Sequence, residues 1–195
     1  HDGELVPSLV VRNQIIREIR KWNADIVLSP RPNDYHPDHR YTGVLVQDAS
    51  YLVIVPNIAS DINPLTKNPL FLYLNDNFKR PNPFQPDIVV AIDKSIDKKI
   101  NALDAHVSQM YEWIPWTMGE ENTVPKGKTN RKKWLKDRWR GNSKISNEEG
   151  ESLEKWYGGQ SRKDVKYIEV FEVCEYGNRP TDKQILRLFP MLNKI

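Results

Sequence analysis

Apolar residues recur at helical spacing from the start of the chain. Val11, Ile15, Ile19 and Trp22 return every three or four positions, with Arg12, Arg17 and Arg20 on the other faces. This predicts an amphipathic helix from about Ser8 to Trp22, ended by Asn23-Ala24-Asp25. Asp25-Ile26-Val27-Leu28 then breaks the period with a nearly continuous apolar run, which suits a buried parallel strand. Ser29 to Tyr35 is rich in Pro and Asn and reads as a loop. A second helix starts near Asp38, with Tyr41, Val44, Leu45, Ala49 and Leu52 on one side. Leu70–Leu74 and Asp87–Ile92 predict two further strands, separated by a long turn with three prolines between Lys79 and Pro86. Asp93 is the expected N-cap of a third helix, whose apolar stripe is Ile96, Ile100, Leu103, Val107 and Met110.

The order helix, strand, loop, helix is that of an α/β sheet domain, a Rossmann-like layered sheet of parallel type with flanking helices. In such sheets ligands bind outside the carboxyl ends of the strands, and the loop after Leu28 lies at such an end. Beyond Tyr111 the composition changes: Trp113, Trp116, Trp134, Trp139 and Trp156 fall in an otherwise polar stretch. Tyr167, Val170, Phe171 and Cys174 fit an i, i+3, i+4, i+7 helical pattern, with Gly177 suited to a helix C-terminus. The expected organisation is therefore an α/β part over residues 1–112 and a helical extension, 113–195, packed on it. No internal repeat or heptad pattern appears.

Composition narrows the chemistry. The chain has 195 residues, 38% of them hydrophobic and 28% charged, within the range of globular domains. It contains no apolar run long enough to span a membrane and no signal-peptide-like segment. The chain opens with His1-Asp2-Gly3 instead of Met, so residues are expected upstream and the compartment stays open, with a lean towards the cytoplasm. The single cysteine, Cys174, excludes an internal disulfide framework and a multi-thiolate metal site. Any metal must therefore use His and carboxylate ligands. The net charge of +3 is local in origin: residues 126–144 hold nine Lys/Arg against one Asp. Its two interleaved tryptophans, Trp134 and Trp139, would suit polyanion binding, but a solvated basic helix is the plainer reading, and no nucleic acid is expected.

Two of the four histidines lie within four positions of each other, in Asp34-Tyr35-His36-Pro37-Asp38-His39-Arg40. Zinc accepts imidazole and carboxylate ligands and, in catalytic sites, keeps one position for water. Hydrolysis also needs a base for the water proton and a donor for the developing oxyanion. The same residues allow a plainer account, with Asp38 capping the following helix and the histidines solvated.

The stretch Ala24–Leu28 followed by Asp34–Arg40 resembles the second signature of the PIG-L/LmbE-like de-N-acetylases, a strand feeding a loop that ends in His-Pro-Asp-His. The resemblance covers roughly residues 1–110. It extends to Ala102-Leu103, His106, Ser108 and Gln109, which look like a helix of that family. It implies zinc, or another divalent metal, held by His39, with His36 as oxyanion stabiliser and general acid and Asp38 orienting His36. It also implies substrate contacts from Asp2, Arg31, Asp34 and Tyr35, with His106 near the site. The implied substrate is an N-acetylated amino sugar or its conjugate, and a homo-oligomer is compatible with it. One departure stands out. The family's first signature, a His-Pro-Asp-Asp-like turn supplying two more ligands and the base, is absent from these residues and is expected from an N-terminal portion of the same protein. The rival expectation is a catalytically inactive binding module that uses the basic, Trp-bearing segment 126–144.

Overall fold

The computed structural model describes residues 1–141, 145–159 and 161–192. The first helix, α1 (Leu9–Trp22), starts where Ser8 accepts the Val11 N–H and stops where Asn23 turns left-handed at φ 47°. These are a standard N-cap and a residue type that tolerates the αL stop. Strand β1 (Ile26–Ser29) leads through the loop into α2 (Pro37–Leu52). Then follow β2 (Leu70–Leu74), β3 (Ile88–Ala91) and α3 (Ile96–Ala105). A π-helical turn, Ser108–Trp113, runs directly into α4 (Ile114–Thr117), followed by a 3-10 turn, Glu121–Thr123, and α5 (Lys128–Gly141). The chain closes with α6 (Asn147–Tyr157), α7 (Ser161–Asp164), β4 (Ile168–Val173) and α8 (Asp182–Leu188). None of the described helices is long and apolar enough to cross a membrane.

The four strands form one sheet in the order β1-β2-β4-β3. β1 and β2 are parallel, with Ile26 opposite Leu70, and β4 runs antiparallel to both its neighbours. β1, β2 and β3 therefore point the same way and share a carboxyl edge. The fold is α/β, as the alternation of elements predicts.

β2 shows how the layers are built. Its side chains alternate, as strand geometry requires. Leu70 and Leu72 join Ile88, Ile100, Trp156 and Phe189 on one face. Phe71 and Tyr73 join Ile16, Val46, Ala49 and Val53 of α1, α2 and the chain after it on the other. Arg20, expected on a polar face of α1, is buried instead. Its guanidinium donates to the carbonyls of Leu52, Val53, Val55, Ile58, Ala59 and Ile62, and so holds together a connector with few backbone bonds of its own.

Several expectations are corrected. Tyr167 to Cys174 is not a helix: residues 168–173 form β4, between β2 and β3, with Val173 opposite Leu72 and Val170 opposite Val89. The extension beyond residue 112 is thus not wholly helical, since it supplies an inner strand of the sheet. Ile168-Glu169-Val170-Phe171-Glu172-Val173 alternates as well as it repeats every three to four, and its β-branched residues favour the extended form. Nor does Asp93 cap α3. Its carboxylate accepts the N–H groups of Lys166 (3.1 Å) and Tyr167 (3.4 Å), which fastens the entry to β4, while Ser95 precedes the helix without a side-chain cap bond. α3 also ends at Ala105, so Val107 and Met110 do not continue its stripe.

Candidate active site

The loop between β1 and α2 lies at the carboxyl edge of the sheet, and its base is rigid. Gly43 of α2 packs directly beneath it: a Cβ there would come within 2.8 Å of Arg31 C and Pro30 O. Arg31 is 4% exposed. Its Nε donates to Asp76 Oδ2 at 2.7 Å, and its other nitrogens donate to Asp76 Oδ1 and to the carbonyls of Phe78 (2.8 Å) and Asn82 (3.0 Å). Glu172 of β4 lies 3.6 Å from the same guanidinium, and burial pushes the Glu172 carboxyl up from its ordinary value. Arg31 therefore corrects its expected role as a substrate contact at the pocket mouth. Its donors are committed to the protein, and it forms part of the floor of a cleft of about 340 Å³ shared with Pro32, Asn33, Tyr73, Glu172 and Tyr176.

Above this base the loop converges on its histidines. His36 is the N-cap of α2, its Nδ1 accepting the Asp38 N–H at 3.2 Å, with Pro37 in the first turn. Asp34 Oδ1 accepts the His36 N–H at 3.0 Å and lies 3.0 Å from His39 Nδ1. Arg40 donates to the carbonyls of Asp34 (3.1 Å) and Tyr35 (2.7 Å) and closes the turn. The two imidazole centroids are 4.8 Å apart, and Tyr35 stands edge-on to both, at 6.0 and 5.7 Å. Tyr35 is 70% exposed, so its ring is a free rim of the site.

Asp38, expected to orient His36, also anchors the start of the chain. Its carboxylate accepts the N–H groups of Gly3 (2.7 Å) and Leu5 (3.0 Å), and the Gly3 bond holds it below the usual carboxylate range. Its backbone N–H donates to His36 Nδ1, and the nearby His36 also draws the Asp38 carboxyl down. By anchoring residues 3–5, Asp38 brings Asp2 to the site, where Asp2 Oδ1 lies 3.7 Å from His36 Nε2.

The structure thus gathers Asp2, Asp34, Tyr35, His36, Asp38 and His39. It does not bring in His106, which is the exposed C-cap residue of α3, its backbone N–H bonded to Leu103. Among the described residues no hydrogen bond or ring contact joins His106 to the loop. Sequence reasoning missed Asp76 and Glu172, which hold the loop's base; neither lies near it in sequence, and Glu172 sits in the strand read as helix.

Two groupings could receive a cation. Donor atoms of Asp2, His36 and Asp38 lie within 4.8 Å of one another. His39 stands apart from that group, with a carboxylate behind Nδ1 and no hydrogen-bond partner at Nε2 among the described residues. A carboxylate behind the distal nitrogen is the usual support for a metal-ligating imidazole. His39 therefore fits one ligand position, whereas a tetrahedral zinc site needs further donors.

No family model matches the chain. Over 125 residues it is 31% identical to the diacetylchitobiose deacetylase of Thermococcus kodakarensis, covering 59% of this chain and 44% of that protein. Its fold is similar to that of the N,N'-diacetylchitobiose deacetylase of Pyrococcus horikoshii, solved with an inhibitor, with a TM-score of 0.59 and 22% identity over 94% of this chain and 59% of that one. It is also similar to a 4-carboxy-2-hydroxymuconate hydratase of Pseudomonas putida KT2440, with a TM-score of 0.57 and 15% identity over 90% and 61% of the two chains. The chain thus spans less than half of its curated relative and about three fifths of these solved structures. The hydratase shows that the fold alone does not fix the reaction. The sequence match to a deacetylase and the strand-loop-helix that carries His-Pro-Asp-His make the chain similar to the PIG-L/LmbE-like de-N-acetylases.

Proposed function

We propose that this chain forms part of a zinc-dependent hydrolase that removes the acetyl group from an N-acetylglucosamine-like sugar or its conjugate. The observation that carries the proposal is the pair of imidazoles 4.8 Å apart at the carboxyl edge, one backed by a carboxylate and the other by a backbone N–H. The deacetylase relative supports the same direction.

His39 would hold the metal, which when bound supplies Lewis acidity to the acetamide carbonyl and to water. His36, fixed as the cap of α2, offers Nε2 to the carbonyl oxygen and then passes a proton to the departing sugar amine. Asp2, 93% exposed beside His36, is placed to accept a sugar hydroxyl. Tyr35 presents an exposed ring on which a pyranose face can pack. A complete zinc hydrolase site also needs further metal donors and a general base besides these residues.

The test compares two variants of the full-length protein. His36→Ala should lower turnover of a diacetylchitobiose-like substrate by about 10²–10⁴-fold while bound zinc, read by elemental analysis, stays near the wild-type level. His39→Ala should lose the metal. Equal zinc retention in both variants overturns the division of roles, and a metal-free but active wild type overturns the zinc proposal.

A further inference from the structure

We propose that Asp34 is a positioning residue that commits His39 to one tautomer, and that the loop holds its two histidines in opposite tautomers. An ionised carboxylate only accepts hydrogen bonds, so the 3.0 Å contact between Asp34 Oδ1 and His39 Nδ1 requires the proton on Nδ1. Nε2 of His39 then carries a bare lone pair. A backbone N–H only donates, so the 3.2 Å contact from Asp38 N to His36 Nδ1 requires a lone pair on that nitrogen. Neutral His36 therefore keeps its proton on Nε2, the nitrogen nearest Asp2. One ring becomes an electron-pair donor and its neighbour a proton donor, although they are three residues apart on one turn.

The arrangement is braced. Asp34 Oδ1 also accepts the His36 N–H at 3.0 Å, and Arg40 grips the Asp34 and Tyr35 carbonyls, so the carboxylate cannot swing away without breaking the turn. The tautomers also choose between the two cation groupings. In the Asp2–His36–Asp38 group a neutral His36 presents an N–H, and the Asp38 carboxylate already holds two backbone N–H groups. His39 is the ring left with an uncommitted lone pair. The consequence for metal rests on the proposed role of His39; the tautomers themselves do not.

Long-range 1H–15N NMR on the 195-residue chain, recorded above the imidazole titration, reads which nitrogen of each ring is protonated. The expected result is Nδ1–H for His39 and Nε2–H for His36. In Asp34→Ala, which removes the acceptor, His39 should gain Nε2–H character, the tautomer a free imidazole prefers, while His36 keeps its signature. In Asp34→Glu, which retains an acceptor, Nδ1–H should largely persist. Nε2–H on His39 in the wild type overturns the proposal without any variant, and so does an unchanged His39 in a folded Asp34→Ala. Zinc titration of the full-length protein against a competing chelator should show affinity about 10–100-fold weaker in Asp34→Asn, the usual effect of removing a ligand's supporting carboxylate. Equal affinity removes Asp34 from metal positioning. A wild type that binds no zinc ends the metal reading but leaves the tautomers to the NMR result.

Discussion

The loop at residues 30–40 and the helix α5 are both dense in charge, yet they use it in opposite ways. In α5 three cations are paired with the neighbouring surface. Lys136 meets Asp97, Arg138 meets Glu120, and Arg131 lies 3.8 Å from Asp104 with its guanidinium over the Tyr111 ring. Trp134 is likewise covered, by Tyr111 and Arg138. The side chains of Trp139 and Arg140, and Lys144 itself, lie outside the described residues. These contacts hold α5 to α3 and to the turn before Glu121. In the loop the buried charge, Arg31, is fully committed below, and the groups above it point their polar atoms at one another around two rings.

Breaking the loop's base should have the largest effect on stability. Arg31→Ala leaves the largely covered Asp76 without its partner and should cost about 3–5 kcal/mol, measured by urea unfolding. A loss below 1 kcal/mol would mean that Arg31 is not the strut described. Gly43→Ala, which pushes a methyl into the backbone at Pro30–Pro32, should cost about 1–3 kcal/mol and lower activity through the displaced loop. The α5 pairs provide the contrast: Lys136→Ala and Arg138→Ala are partly exposed and should each cost about 1 kcal/mol or less, with salt reducing the difference further. If either costs as much as Arg31→Ala, the contrast between the two regions fails.

The smallest effect concerns pH. Burial raises the folded-state value of Glu172, so its protonated form favours the fold. That stabilisation is complete below the ordinary glutamate value and is lost as pH rises through the raised folded one. Asp87, raised by burial too, adds a contribution of the same sign. Glu172→Gln should therefore flatten the fall in thermal stability between mildly acid and neutral pH. An identical slope in both proteins would remove Glu172 as its source.

What could be read from the sequence follows from how local each feature is. The predicted helix Ser8–Trp22 and the strands at 26–29, 70–74 and 88–91 carry their period within themselves, and they form within a residue or so of expectation. β4 does not, because six residues satisfy both periods and the ladder that decides between them lies on β2 and β3. The histidine pair was legible for the same local reason. The partners that set its chemistry were less so. Asp38 reaches back to Gly3 and Leu5, and Arg31 reaches forward to Asp76 and Glu172, so their roles appear only after the chain has folded. Asp34 was visible as a loop carboxylate, but its hold on His39 depends on the turn that Arg40 closes.

The place of β4 also has a consequence for how the protein is made. β2 and β3 emerge from the ribosome long before Ile168, and neither pairs with the other: the strand that joins them comes last. Until then each presents an open edge, the kind of surface on which nascent chains pair with one another. Closure of the sheet is a late, long-range step, which slows folding. A chain released before Ile168 would carry every residue of the histidine loop and still lack the strand on which the far side of its sheet depends.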